Sequence, residues 1–383
     1  MASIKYSPTY QSAKIVAPKI SEHFLHHIAL AHDQEPQDIA TIPKVNIIEA
    51  IIDVCFWASF RSEEGKYPRI SLAFLSPEQA LHPVVFQEKL TLNAYVLSKL
   101  APGIEGAGIH LGVWFQDGEL FVWGSTTYIP DYCFVLDVSE PGLLVIKHKR
   151  INGYGKFTNV VILKGDEIKI VNEESGILPD SPQILKSLLG FTAPYLRNDT
   201  TNILIQLAVF MRSHGRGGTL LLTPSDDEQW KQSLISPFRY QLNPPFEGLA
   251  NLILKDGSNI SESLWISKLK KEVDHIAGFT AIDGATIMND KYELLAFGVK
   301  IGKREGNSSV KKVAFIEPVI GGEASLIDIA QLGGTRHLSS AQFVYDNHDC
   351  IALVASQDGH FTVLSWSITM KCVQAHRIET LLF

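Results

Sequence analysis

The feature that most restricts the fold of this chain is a train of three hairpin signals between Gly108 and Asn172. LGVWFQDGELFVWG sets apolar runs on either side of Asp117-Gly118. FVLDVSEPGLLVIKH does the same around Pro141-Gly142, and NVVILKGDEIKIVN around Gly165-Asp166. A tight Gly-, Asp- or Pro-bearing turn between apolar runs closes an antiparallel pair, whereas parallel strands need a long crossover. Three such pairs in succession commit this region to a mostly antiparallel sheet. Trp114 and Trp123 flank the first turn and read as sheet packing. Ahead of the hairpins, Ile20–Ala31, Val45–Phe60 and Phe86–Leu100 carry apolar residues at helical spacing, so helices are expected there.

The second half alternates between the two periodicities. SPQILKSLLG (Ser181–Gly190) reads as a short connecting helix, and FTAPYLRNDTT after it as a domain boundary. TTNILIQLAVFMRSHGRGGTLLLTPS then reads as a helix, a Gly-rich turn and a buried strand. In it Ile203, Leu204, Leu207, Ala208 and Met211 share one helical face. Ser261–Ala277 is a second amphipathic helix with a serine cap. AIDGATIMNDKYELLAFGVKIG gives two strands flanking Asn289-Asp290, with Asp283-Gly284 inside the first; KREGNSSVKK is a polar loop. GGTRHLSSAQFVYDNHD is a turn and helix, and CIALVAS and HFTVLSW are closing strands. The pattern predicts an α/β architecture in two domains, as expected for 383 residues. Residues 1–190 form an α+β domain with antiparallel hairpins. Residues 195–375 form a second domain in which helices interleave with strands.

A net charge of −7 and a pI near 6.0 argue against a nucleic-acid polymer or an anionic membrane surface as partner. Cys55, Cys133, Cys350 and Cys372 form no CxxC pair, which suits reduced thiols. The first residues lack the apolar core of a signal peptide, and no run approaches the roughly 18 apolar residues of a membrane span. A cytoplasmic protein is expected. HExxH and GxSxG are absent. Arg216-Gly217-Gly218-Thr219 looks like a phosphate-friendly turn, but no GKS or GKT follows it, and a helix stop with strand entry is the favoured reading.

Two short stretches carry chemistry. In Asp283-Gly284-Ala285 a carboxylate interrupts an apolar strand, which is costly unless it is paired, hydrated or metal-bound. Gly284 permits a close backbone approach. A β-bulge or strand-end turn fits the same residues. Gly334-Thr335-Arg336-His337 puts a hydroxyl, a cation and an imidazole at a helix start. There Thr335 or a nearby serine can cap, and free N–H groups can hold an anion. His337 can donate to phosphate or ligate a cation. Ser339 adds a hydroxyl to the first turn. A capped helix bearing a surface Arg-His pair is the competing reading.

The order of these pieces (RGGTLLLTPS, then IDGATI and a hairpin, then GGTRHLSSA and closing strands) resembles the diadenylate cyclase (DAC) domain over roughly residues 195–370. Members of that family have an α/β fold with a twisted mixed sheet. Two domains meet face to face and condense two ATP, each with a divalent metal, to cyclic di-AMP. The resemblance implies that Asp283 sits at the ribose 3′-hydroxyl or metal and would be the catalytic residue of an active enzyme. It further implies a nucleotide-binding set of Asp283, Gly284, Ala285, Gly334, Thr335, Arg336, His337 and Ser339, with Mn²⁺ or Mg²⁺ at Asp283 and His337. The family's second arginine, after the histidine, is Leu338 here, and Ser356-Gln357-Asp358 lacks or shifts one carboxylate of its usual acidic pair. Losing a donor aimed at developing charge costs orders of magnitude in rate. The chain also resembles the sensor-type branch called DACNV, with cues in WGSTTYIPDYCFVLDVSEPGLLVIKH and GKFTNVVILKGDEIKIV.

The first reading is therefore a sensor that binds a nucleotide or cyclic dinucleotide without efficient turnover and signals to an effector protein. An active diadenylate cyclase, which would act as a homodimer, is the second. A scaffold with a vestigial pocket is the third.

Overall fold

The computed structural model describes residues 6–31, 39–106, 108–149, 157–172, 175, 178–182, 200–254 and 262–383. The chain divides into two compact units, Met1–Val171 and Asn172–Phe383. Both are α/β, each built on a mixed sheet with antiparallel hairpins, as the sequence pattern indicates.

The first unit runs α1 (Gln11–Ala31), α2 (Val45–Ser59), β1 (Ile70–Phe74), β2 (Val84–Thr91), α3 (Ala94–Leu100), β3 (His110–Gln116), β4 (Glu119–Thr126), β5 (Phe134–Glu140), β6 (Leu143–Lys149), β7 (Phe157–Lys164) and β8 (Glu167–Ile170). The sheet order is β2-β4-β3-β1-β5-β6-β7-β8. The pairs β3–β4, β5–β6 and β7–β8 are the three expected hairpins. A parallel β1–β3 contact makes the sheet mixed. Its main core gathers Ile20 and Phe24 of α1, Ile48 and Ile51 of α2, and Leu72 and Leu136 of the sheet. Trp123 is buried, its indole N–H donating to the Leu75 carbonyl.

Two helix boundaries differ from the periodic pattern. The segment Phe86–Leu100 is half strand: β2 pairs with β4 through Thr91, and a helix begins only after Asn93, whose side chain accepts from the Val96 N–H. Val84, Val85 and Phe86 favour the pleated surface, and Asn93 is a cap that divides the two elements. Helix α1 starts before its periodic segment and carries Pro18 inside it. Its start is held by Asp53 of α2, which is 1% exposed. One carboxylate oxygen accepts from the N–H groups of Thr9 (2.7 Å) and Tyr10 (2.6 Å), and the other from the Tyr6 hydroxyl. A negative charge at this position also complements the helix dipole.

The second unit runs α4 (Thr200–Ser213), β9 (Gly218–Thr223), β10 (Tyr240–Phe246), α5 (Gly248–Leu254), α6 (Glu262–Phe279), β11 (Ala285–Asn289), β12 (Leu294–Val299), β13 (Lys312–Ile316), β14 (Ser325–Asp328), α7 (Ile329–Leu332), α8 (Thr335–Asp346), β15 (Ile351–Ala355), β16 (Phe361–Ser367) and β17 (Cys372–Arg377). The sheet order is β10-β12-β11-β9-β15-β16-β17-β13-β14, with β9–β11 and β13–β17 parallel. Strand residues alternate between two cores. Leu220, Leu353 and Val363 pack with Leu207, Met211 and Val273 from α4 and α6. Leu221, Val354 and Leu364 pack with Ala341, Phe343 and Val344 of α8. Burial on both faces is why these strands read as unbroken apolar runs.

The strand containing IDGATI begins at Ala285, so Asp283 and Gly284 precede it and do not interrupt it. Strands β10, β13, β14 and β17 are additions to the pattern read from sequence. Residues 183–190 of the expected connecting helix, the boundary segment 191–199 and the cap Ser261 lie outside the described residues. Within the second unit, Asp180 accepts from the Ser367 hydroxyl and the Thr369 N–H. The Asn172 N–H donates to Pro318. These bonds tie the chain from Asn172 to the second unit, earlier than the FTAPYLRNDTT segment suggests. All four cysteines are free thiols, and among the described residues no helix is long and apolar enough to cross a membrane.

Asp53→Ala leaves the buried Tyr10 N–H, the Thr9 N–H and the hydroxyls of Tyr6 and Thr9 without their acceptor. It is expected to lower unfolding free energy by about 3 kcal/mol in a denaturant titration. A loss within experimental error would contradict the anchoring role.

Candidate functional site

At one end of the second sheet, β9 and β11 begin while β12 and β15 finish, and the first turn of α8 lies across them. Together they line an open cavity of about 520 Å³, within the usual size range of small-ligand sites. Every residue in the set Asp283, Gly284, Ala285, Gly334, Thr335, Arg336, His337 and Ser339 contributes to its wall. The two motifs, far apart in sequence, thus meet at one place.

Gly284 makes the approach possible. Its φ is +108°, and a Cβ there would stand 2.5 Å from the Gly298 carbonyl carbon, so only glycine fits. The turn carries Asp283 out to an 85% exposed position, where Oδ2 lies 2.5 Å from the Lys300 Nζ. The burial cost that a strand-interior carboxylate would carry does not arise. Lys300, followed by a weaker contribution from Arg336, holds the Asp283 carboxyl below the usual carboxylate range.

Helix α8 supplies the opposing side. Its N-cap is Gly334, with no side-chain cap bond, and Thr335 is the first helical residue rather than the cap. The His337 N–H bonds back to the Gly334 carbonyl, which leaves the N–H groups of Thr335 and Arg336 without an N-cap side chain, and the dipole points its positive end toward the cavity. The half-buried Arg336 side chain makes no hydrogen bond or ion pair among the described residues. Its guanidinium lies over Gly217, where a Cβ would meet Nη1 at 3.0 Å. Ser339 is turned back on its own helix, its hydroxyl donating to the Arg336 carbonyl.

His337 plays a different part from its neighbour. It is 4% exposed, Nε2 lies 3.2 Å from Thr362 Oγ1, and the ring backs onto Gly333. Burial, reinforced by Arg377, pushes its pKa down to about 4. At neutral pH the imidazole is thus an uncharged wall of the cavity. Leu338, 38% exposed, does not line it.

Sequence reasoning did not single out Lys300, and it weighed Thr219 only within the Arg216–Thr219 turn; both line the cavity. The Arg216–Thr219 turn is the helix stop and strand entry expected of it, with positive φ at Gly215 and Gly217. It nevertheless supplies the floor under Arg336.

For Mn²⁺ or Mg²⁺ the fit is poor. The carboxylate of Asp283 is taken up by an ammonium, His337 is committed inward to Thr362, and no group of three or more His, Cys, Asp or Glu side chains clusters for a metal among the described residues. Hard divalent cations take several oxygen ligands at once.

Residues 37–127 match the family described as "Probable sensor domain DACNV". The match covers less than half of the chain and lies in the first unit, apart from the cavity. A search of curated proteins gives no match. Among solved structures, a hypothetical membrane spanning protein from Bacillus cereus aligns at 12% identity over 47% of this chain and 67% of that one, with a TM-score of 0.26. Similarity of that degree supports no conclusion about fold or function.

Gly284→Ala forces a side chain into the Gly298 backbone. The substitution is expected to cost about 2 kcal/mol or more in a denaturant titration, from positive-φ strain and the collision together. Wild-type stability in this variant would contradict the close approach that aims Asp283.

Proposed function

We propose that this protein is a nucleotide sensor whose second unit binds a nucleotide or cyclic dinucleotide without efficient turnover. The observation that carries this reading is Arg336, its side chain unpaired among the described residues, at a helix start without a side-chain cap, facing Asp283 and Lys300 across a ligand-sized cavity. A guanidinium without a carboxylate partner among the described residues, beside the N–H groups of Thr335 and Arg336 at the helix start, suits phosphate oxygens. The family match in the first unit supports a sensory role for the chain.

The same geometry argues against turnover. A general base works best with a pKa near the operating pH. Asp283 is held below its ordinary value by Lys300, so it is a weak acceptor for a ribose hydroxyl proton. The site also has Leu338 where cyclases of the DAC type carry a second arginine. Retention of Asp283 opposite Arg336 is the one feature that favours an active diadenylate cyclase, which would need two such sites meeting in a homodimer.

The test is a thermal-shift panel of nucleotides, including ATP and cyclic di-AMP, with a parallel search for cyclic di-AMP after incubation with ATP and Mn²⁺. A ligand present at about 100 times its dissociation constant adds about 2.7 kcal/mol of stability. The shift is expected in the wild type and lost in Arg336→Ala. Accumulation of cyclic di-AMP would replace the sensor reading with the cyclase one, and a panel without any shift would leave a scaffold.

A further inference from the structure

We infer that Lys300 takes the place of a divalent cation in this site, so that the cavity binds nucleotide phosphates in their metal-free form. This inference rests on the nucleotide reading above and adds the ionic form of the ligand and the residue that selects it.

A polyphosphate entering a cavity must have its negative charge matched. Here the charge is supplied by side chains. The ammonium of Lys300 lies 2.5 Å from Asp283 Oδ2, where a metal bound by that carboxylate would have to sit. A divalent cation at the same oxygen would have to displace the ammonium or lie beside a like charge. Asp283 then acts as an orienting partner for the lysine. Lysine suits this role because its ammonium is a compact point charge with several donors, able to bond a carboxylate and a phosphate oxygen together.

Lys300 is not a chance surface contact, because its backbone is fixed on both sides. The Ile235 N–H donates to the Lys300 carbonyl at 2.9 Å, and Ile301 bridges to Leu234. Only the side chain is free to follow a ligand, and it is 57% exposed at the rim of the cavity. With Arg336 on the opposing side, the pair supplies the two positive charges that one Mg²⁺ would otherwise bring. The residue Asp358 lines the cavity as well, so an incoming phosphate competes with the carboxylates of Asp283 and Asp358 for the two cations.

The experiment is calorimetric titration of the full chain with ATP and, separately, with cyclic di-AMP, each in EDTA and in MgCl₂. Wild-type affinity for the binding nucleotide is expected to be at least as tight in EDTA as in MgCl₂, and for ATP tighter, because Mg²⁺ withdraws the metal-free form from solution. Lys300→Met should weaken binding in EDTA by about tenfold or more, the range of a lost charge-assisted contact. Lys300→Arg should retain metal-free binding. Because the side chain is exposed, unchanged melting of both variants checks that they fold. Binding that appears only with Mg²⁺, or a Lys300→Met variant that binds in EDTA as well as wild type, overturns this inference and leaves the nucleotide site standing. Absence of binding by either nucleotide in both buffers overturns the nucleotide reading itself, and this inference with it.

Discussion

Two strand ends and one helix start have to coincide for Asp283, Lys300 and Arg336 to share a cavity, and the backbone contact of Gly284 with Gly298 is what lets them. It brings the turn before β11 flush against the end of β12. The carboxylate and the ammonium then meet at 2.5 Å on the open side of the sheet. The pair is exposed and screened, so its contribution to stability is small. Its effect is on chemistry. It lowers the basicity of Asp283, occupies its carboxylate, and leaves the Arg336 side chain without a partner among the described residues.

The architecture around this contact is rigid for a separate reason. β9, β11 and β15 are buried on both faces between two clusters of apolar side chains, so their ends are held by the packing of the whole unit. A site built where central strands end inherits that fixity while remaining open to solvent. His337 contributes to the same stiffness. Its neutral, buried ring joins α8 to Thr362 of β16, fixing the helix whose first turn faces the cavity.

Much of the fold was legible because its signals are local. Asp117-Gly118, Pro141-Gly142 and Gly165-Asp166 each specify a turn through backbone chemistry alone, and the two-faced burial of LLL in β9 and ALVA in β15 leaves unbroken apolar runs. Where local signals conflict, the reading failed. Phe86–Leu100 has enough apolar residues to mimic a helix, yet pairing with β4 decides its first half. β10 contains Pro244 and Pro245, which argue against a strand, and survives because it lies at the sheet edge. The site was half legible. Asp283 and Arg336 stand in recognisable turns. Lys300 could not be found by counting back from the Asn289-Asp290 turn, because the β11–β12 register shifts on both sides of Ile287. The inward orientation of His337 depends on Thr362, a residue of another strand, and leaves no trace in the motif.

The most direct measurement is a nuclear magnetic resonance titration of the isotopically labelled chain with ATP or cyclic di-AMP, following backbone amides residue by residue. If an anionic ligand sits between the uncapped helix start and the Asp283–Lys300 pair, the largest shifts fall on the amides of Thr335, Arg336 and Gly284. Saturable binding that leaves those three amides unmoved would contradict the account.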